Sequence, residues 1–189
     1  AGADSIVGGH GNDTVAYIFS NTGIQVDLEA GTATDDGFGS TDTLVGIEVV
    51  QGSDFGDLIL GSSDADYLAG RDGSDTLSGR AGNDILFGDN PGPTGISGPD
   101  AIDVLYGGSG NDFLYGGAGA DSLFGGAGND GFQGTAEDLN GDVIGDYNAT
   151  GAGEDDSIVV WNEVVAQGDI GLSNDGTTTT VTLSNTSAG

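Results

Sequence analysis

The residue type with the clearest capacity for chemistry in this chain is aspartate, because it recurs at a fixed period. Asp57, Asp66, Asp75 and Asp84 stand nine residues apart, as do Asp103, Asp112, Asp121 and Asp130, and Asp4 and Asp13 keep the same spacing upstream. Each is followed two places later by Ile, Val, Leu or Phe. Carboxylates supplied in regular rows beside main-chain carbonyls are hard oxygen donors, and calcium takes six to eight such oxygens at roughly 2.3–2.6 Å in irregular geometry. Other chemistries lack their residues. There is no cysteine and one histidine, His10, so neither a zinc site nor a nucleophile with a His base can be assembled. Without lysine there is no phosphate loop of the Gly-Lys type. Close carboxyl pairs such as Asp64 with Asp66, or Asp155 with Asp156, arise by density alone in so acidic a chain. No catalytic residue is read here, and the chain is not expected to be an enzyme.

Of the 189 residues, 31 are Asp or Glu and only two, Arg71 and Arg80, are basic, giving a formal charge of −29. Nucleic acids and anionic membranes need a positive field, so they are excluded as partners. The expected partner is cationic. No run of about 18 apolar residues exists, so no membrane-spanning helix is expected. Hydrophobic content of 35% is thin for a conventional core. One inward apolar residue per repeat contributes about 1.5–3 kcal/mol, against roughly 1–2 kcal/mol of ordering cost for each residue of the repeat. Apolar burial alone loses, and bound ions must supply the difference.

The 39 glycines share the aspartate period. Residues 107–115 (GGSGNDFLY), 116–124 (GGAGADSLF) and 125–133 (GGAGNDGFQ) are three abutting units of nine. Four degenerate units precede them: 52–60 (GSDFGDLIL), 61–69 (GSSDADYLA), 70–78 (GRDGSDTLS) and 79–87 (GRAGNDILF). Another stands at 8–16 (GGHGNDTVA), and 2–7 is the tail of one before it, so the natural protein is expected to continue upstream. This Gly-Gly-x-Gly-x-Asp-x-apolar-x pattern resembles the repeats-in-toxin, or hemolysin-type, calcium-binding nonapeptide family. The resemblance implies a right-handed parallel β-roll. It also implies a segment of a larger protein exported by a Gram-negative bacterium through a type I channel, folding on calcium outside the cell.

The elements that must position the aspartates follow from the unit itself. Its last three residues form a short strand whose middle side chain points inward, giving the inward set Ile59, Leu68, Leu77, Leu86, Leu105, Leu114, Leu123 and Phe132. Its first six form a turn in which glycine permits positive φ. Two units make one coil, so Asp57, Asp75, Asp103 and Asp121 line one side and Asp66, Asp84, Asp112 and Asp130 the other. Neighbours on a side share an ion, for about six or more Ca2+. The expected ligands are Asp4, Asp13, these eight aspartates and the carbonyls of Gly108, Gly110, Gly117, Gly119, Gly126 and Gly128.

The expected fold is thus an all-β roll with a C-terminal β cap. Residues 1–16 form the first repeats and 17–51 a strand-and-loop insert continuing the roll as wider coils. Residues 52–133 form the main roll, with an insert loop at 89–98, and 134–189 a degenerate repeat and capping segment. In the insert, 24–28 and 43–50 are strand candidates with a turn at 35–37. Asp42, Asp142 and Asp156 keep the Asp-x-apolar phase where the glycines fall away. Pro91, Pro93 and Pro99 mark an exposed excursion. Residues 138–142 imitate the start of an EF-hand loop but lack its later ligands. A hairpin around 174–176 and Trp161 are expected to close the end of the roll. Phe87, Tyr106, Tyr115 and Phe124, all at position nine, fall on the outer faces and pack across strands; extracellular polysaccharide or further protein copies are the partners they would meet. His10 is expected in solvent, and Arg71 and Arg80 to temper Asp repulsion.

Overall fold

The computed structural model describes residues 2–35, 39–90, 101–135, 138–147 and 156–160, and the backbone of 170–174 and 179–183. Short runs centred on an inward apolar residue become most of the strands. The first six are β1 (Ser5–Val7), β2 (Thr14–Ala16), β3 (Gln25–Asp27), β4 (Thr32–Thr34), β5 (Thr41–Val45) and β6 (Val49–Gln51). The repeats supply β7 (Leu58–Leu60), β8 (Tyr67–Ala69), β9 (Thr76–Ala81), β10 (Ile85–Phe87), β11 (Val104–Ser109), β12 (Phe113–Tyr115), β13 (Ser122–Ala127) and β14 (Gly131–Gly134). The last four are β15 (Val143–Ile144), β16 (Ser157–Val160), β17 (Ile170–Asn174) and β18 (Thr179–Leu183). No helix occurs among the described residues.

The strands alternate between two sheets. One has the order β1-β5-β4-β3-β7-β9-β11-β13-β15-β18-β17 and the other β16-β14-β12-β10-β8-β6-β2. Pairing between coils is parallel and in register with the period, so Leu77 lies beside Ile59 and Leu105, and Leu86 beside Leu68 and Leu114. This is the expected β-roll: the eight inward residues are each 0% exposed and form one continuous core between the sheets.

The insert departs from a simple wide coil. β3, β4 and β5 form an antiparallel meander within the first sheet, and the chain runs from β3, beside β7, back to β5, beside β1. The expected strand over 43–50 is two strands in different sheets, broken where Gly46 takes φ +63 and turns the chain across the roll. Ile24, Val26, Ala33, Leu44, Ile47 and Val50 fill the core at this level. At the other end β17 and β18 pair antiparallel, Asn174 opposite Thr179, and β18 joins β15 antiparallel. Trp161, the three prolines and residues 36–37 of the expected turn lie outside the described residues.

Position nine also needs one correction. Tyr106 and Phe124 stack on the outer face with centroids 5.0 Å apart, and Tyr106 is 43% exposed. Phe87 packs against Tyr67, Phe113 and Tyr115. Tyr115, however, is buried and donates its hydroxyl to Asp138 Oδ2, because the chain after β14 folds back over it.

Candidate metal centre

Both columns of turns are built on the same bond. Asp57 N–H donates to Asp75 Oδ1 at 2.8 Å, Asp75 to Asp103 at 2.7 Å, Asp103 to Asp121 at 2.9 Å and Asp121 to Asp142 at 2.9 Å. On the other side Asp66 donates to Asp84 and Asp84 to Asp112, both at 2.8 Å, then Asp112 to Asp130 at 2.9 Å and Asp130 to Asp156 at 3.0 Å. The carbonyl of each of these donors accepts the N–H one residue beyond the next member of its row, as when Thr76 donates to Asp57 O and Ile85 to Asp66 O. The aspartates are therefore fixed at both backbone and side chain. All eight repeat aspartates are buried, none above 5% exposed.

One carboxylate oxygen is used in this ladder and the other is left over. Oδ2 of Asp75, Asp84, Asp103, Asp112, Asp121, Asp130 and Asp142 is buried without a hydrogen-bond partner. In all but Asp142 it lies over the first glycine of its own unit. A Cβ added to Gly70, Gly79, Gly88, Gly107, Gly116 or Gly125 would run into the Oδ2 of Asp75, Asp84, Asp103, Asp112, Asp121 or Asp130, respectively. Position one is thus glycine for room rather than for φ. Positions two and four are glycine for conformation: Gly108, Gly117 and Gly126 have φ of +116, +111 and +100, and Gly110, Gly119 and Gly128 have +135, +150 and +139. In these turns the carbonyls of one coil press on the glycines of the next, Gly82 O on Gly110 and Gly110 O on Gly128.

Burial is the main cause of an electrostatic strain in these rows. It pushes the carboxyl of Asp75 up to about 9, Asp142 to about 8, Asp84 and Asp103 to about 7, and Asp121 and Asp130 to about 6, with neighbouring aspartates adding to the rise. Asp57, Asp66 and Asp112 are raised by the same burial. A desolvated carboxylate with an unused oxygen is a site that wants a positive charge. No three acidic side chains converge on one point among the described residues, so a cation between coils must complete its shell with main-chain oxygens. That donor set of carboxylate and carbonyl oxygen fits calcium.

The upstream aspartates differ. Asp57 is satisfied at both oxygens, Oδ2 by Ser53 N–H at 2.7 Å and Oδ1 by the Ser53 hydroxyl at 2.7 Å and Ile24 N–H at 2.8 Å. Asp66 Oδ2 accepts Ser62 N–H at 2.6 Å while its Oδ1 is buried and unpartnered. Asp4 is exposed and donates its N–H to Asp42 Oδ1, whereas Asp13 donates to Glu48 Oε2 and keeps a buried, unpartnered Oδ2. The rows therefore include Asp42, Glu48, Asp142 and Asp156. The Asp-x-apolar phase signals three of these, and Glu48-Val49-Val50 carries the same phase with Glu. Asp89 has no periodic signal, yet it is fully buried with a free Oδ1.

The two arginines do meet aspartates. Arg80 forms a two-pronged pair with Asp27 at 2.8 Å and donates to Gly61 O, while Arg71 pairs with Asp54 at 2.9 Å. Both take positive φ, +75 and +94, at position two of their turns. His10 is exposed.

The family model described as the RTX calcium-binding nonapeptide repeat, in four copies, matches residues 1–17, 42–77, 60–90 and 98–132. No curated protein matches the chain. No helix among the described residues is long and apolar enough to cross a membrane.

Proposed function

Since the chain belongs to the RTX calcium-binding nonapeptide repeat family, we propose that its two turn columns are the calcium sites and that filling them folds the roll. The observation that carries this reading is the set of seven buried Asp Oδ2 atoms without a partner, one per turn in consecutive coils. The ligands are Asp75, Asp84, Asp103, Asp112, Asp121 and Asp130 with carbonyls from turns that include Gly108, Gly110, Gly117, Gly119, Gly126 and Gly128. Asp142 and Asp156 continue the rows downstream, and Asp57 and Asp66 close them upstream. Asp4 and Asp13 belong to the first coil. About six ions fit the neighbouring pairs, and two charges from each would offset roughly 12 of the 29 excess negative charges where they are most crowded.

RTX repeat proteins are typically secreted by Gram-negative bacteria. In that setting the chain stays unfolded where calcium is scarce and folds where it is abundant, so the ion sets the place of folding. The reading assigns no catalytic role. Neither polysaccharide nor protein copies gain support, since Tyr115 is buried and Tyr106 and Phe124 cover each other.

The test is calorimetric titration with calcium combined with far-ultraviolet circular dichroism. The expected result is several ions bound with a coil-to-β transition, reversed by chelator. A β spectrum that persists at neutral pH after calcium removal would sink the coupling.

A further inference from the structure

Six turns of the roll share a backbone feature at position two. Gly9, Arg71, Arg80, Gly108, Gly117 and Gly126 all take positive φ, from +75 to +116. In the same six turns the aspartate at position six, Asp13, Asp75, Asp84, Asp112, Asp121 or Asp130, keeps a buried Oδ2 with no partner. Two turns differ at both places. Ser53 and Ser62 stand at position two without positive φ, and each donates its N–H to Oδ2 of its own aspartate, Ser53 to Asp57 at 2.7 Å and Ser62 to Asp66 at 2.6 Å. The turn that opens at Gly88 is of another build, since the insert separates it from its aspartate, Asp103.

The two features are linked by where the position-two N–H goes. At positive φ it is spent along the stack: Arg71 donates to Gly88 O of the next coil at 2.8 Å, and Gly126 to Asp146 Oδ2 at 2.8 Å. Without positive φ, in the two serine turns, it is directed inward and bonds the carboxylate beside it. Two arginines hold the first arrangement although it is strained for a non-glycine residue, so it does not come from glycine alone. An inward N–H takes the lone pair that a cation needs and sets the positive end of its dipole where the cation would sit. Burial raises the Asp57 and Asp66 carboxyls, and the serine N–H works against that rise. The unpartnered Oδ1 of Asp66 is its ladder oxygen, left over because Glu48 N–H donates to Asp13 O.

Resting on the reading of the turns as calcium sites, we propose that the residue at position two decides which turns take an ion. A residue held at positive φ opens the turn, and a serine closes it with its own N–H. After the insert, Asp75 and Asp84 begin the filled part of the two columns. The Ser53 and Ser62 turns are ion-free joints between the insert and the repeats.

The experiment counts the calcium bound at saturation by the full chain in equilibrium dialysis, with circular dichroism confirming the fold of each variant. Arg71→Gly and Arg71→Ser both remove the guanidinium and its pair with Asp54, and they differ in their tolerance of positive φ. Arg71→Gly is expected to match wild type and Arg71→Ser to bind about one ion fewer. Ser62→Ala removes the hydroxyl, keeps the N–H and matches wild type, whereas Ser62→Gly frees the backbone and gains about one ion. If one pair folds poorly, the other decides alone. Arg71→Ser equal to Arg71→Gly, or Ser62→Gly equal to Ser62→Ala, overturns the assignment while leaving the calcium reading intact. Wild type binding no calcium overturns both.

Discussion

Calcium-free chain titrated from pH 4.5 to pH 9 gives the sharpest test of the buried rows. Seven carboxyls, those of Asp75, Asp84, Asp89, Asp103, Asp121, Asp130 and Asp142, have folded values of about 6 to about 9 and exposures of 1% or less. An unfolded aspartate titrates near 3.9. Because the folded values are raised, the metal-free fold is penalised as soon as the unfolded chain can ionise. The penalty vanishes only below the unfolded value, at about pH 3, is about 1 kcal/mol per group at pH 4.5, grows as pH rises toward the folded values, and levels off above about 9. At pH 7.5 each group costs roughly 3–5 kcal/mol, for a total on the order of 25 kcal/mol. Net domain stability is only about 5–15 kcal/mol. The metal-free roll is therefore lost at neutral pH and favoured toward acid, while the calcium-loaded roll persists at neutral pH. Circular dichroism in calcium-depleted buffer, with light scattering to exclude aggregates, reads this directly. A calcium-free β signal that strengthens as pH rises from 4.5 to 9 would refute the reasoning.

Three further outcomes follow from packing and turn geometry. Leu105→Ala empties a fully buried core position and is expected to cost about 2–5 kcal/mol in denaturant unfolding of the calcium-loaded protein; a loss below about 1 kcal/mol would contradict the continuous core. Gly116→Ala places a Cβ against the Asp121 carboxylate, so calorimetry should show weaker binding at that turn, whereas Ala at the exposed Gly9, with nothing near its Cβ, pays only for its φ of +116 and leaves the ion count unchanged. Arg71→Gly exchanges a non-glycine residue at φ +94 for the residue suited to it, and the partly exposed pair with Asp54 that it loses is worth under about 1 kcal/mol. The strain relieved is about 1–3 kcal/mol, so a modest rise in melting temperature is expected in calcium.

The roll was legible because each unit carries its own instructions: Leu105 must be inside, Asp103 must sit at the turn, and Gly108 and Gly110 take positive φ, whereas the room that Gly107 leaves for Asp112 shows only in the fold. Features that depend on contacts between units were not. Nothing local in Thr32-Ala33-Thr34 announces a strand; it becomes one because Ala33 is buried between β3 and β5. The strand expected over 43–50 runs straight through Gly46, but that glycine is where the chain crosses between sheets. Glu48 was hidden by the longer side chain that substitutes for Asp. Asp89 and the buried Tyr115 owe their environments to residues 116–121 and to Asp138, which sequence spacing does not bring to mind.

The row bond also has a direction. In each column the N–H of an earlier turn is satisfied by the carboxylate of a later one, as Asp103 is by Asp121 and Asp112 by Asp130. A coil added on the upstream side of a formed stack finds its acceptor already in place. A coil added on the downstream side must present its carboxylate before the previous turn is satisfied. The backbone half of the ladder runs the other way, the later turn donating to the earlier carbonyl, so each coil gives a donor to both neighbours and neither face of the stack is closed without one.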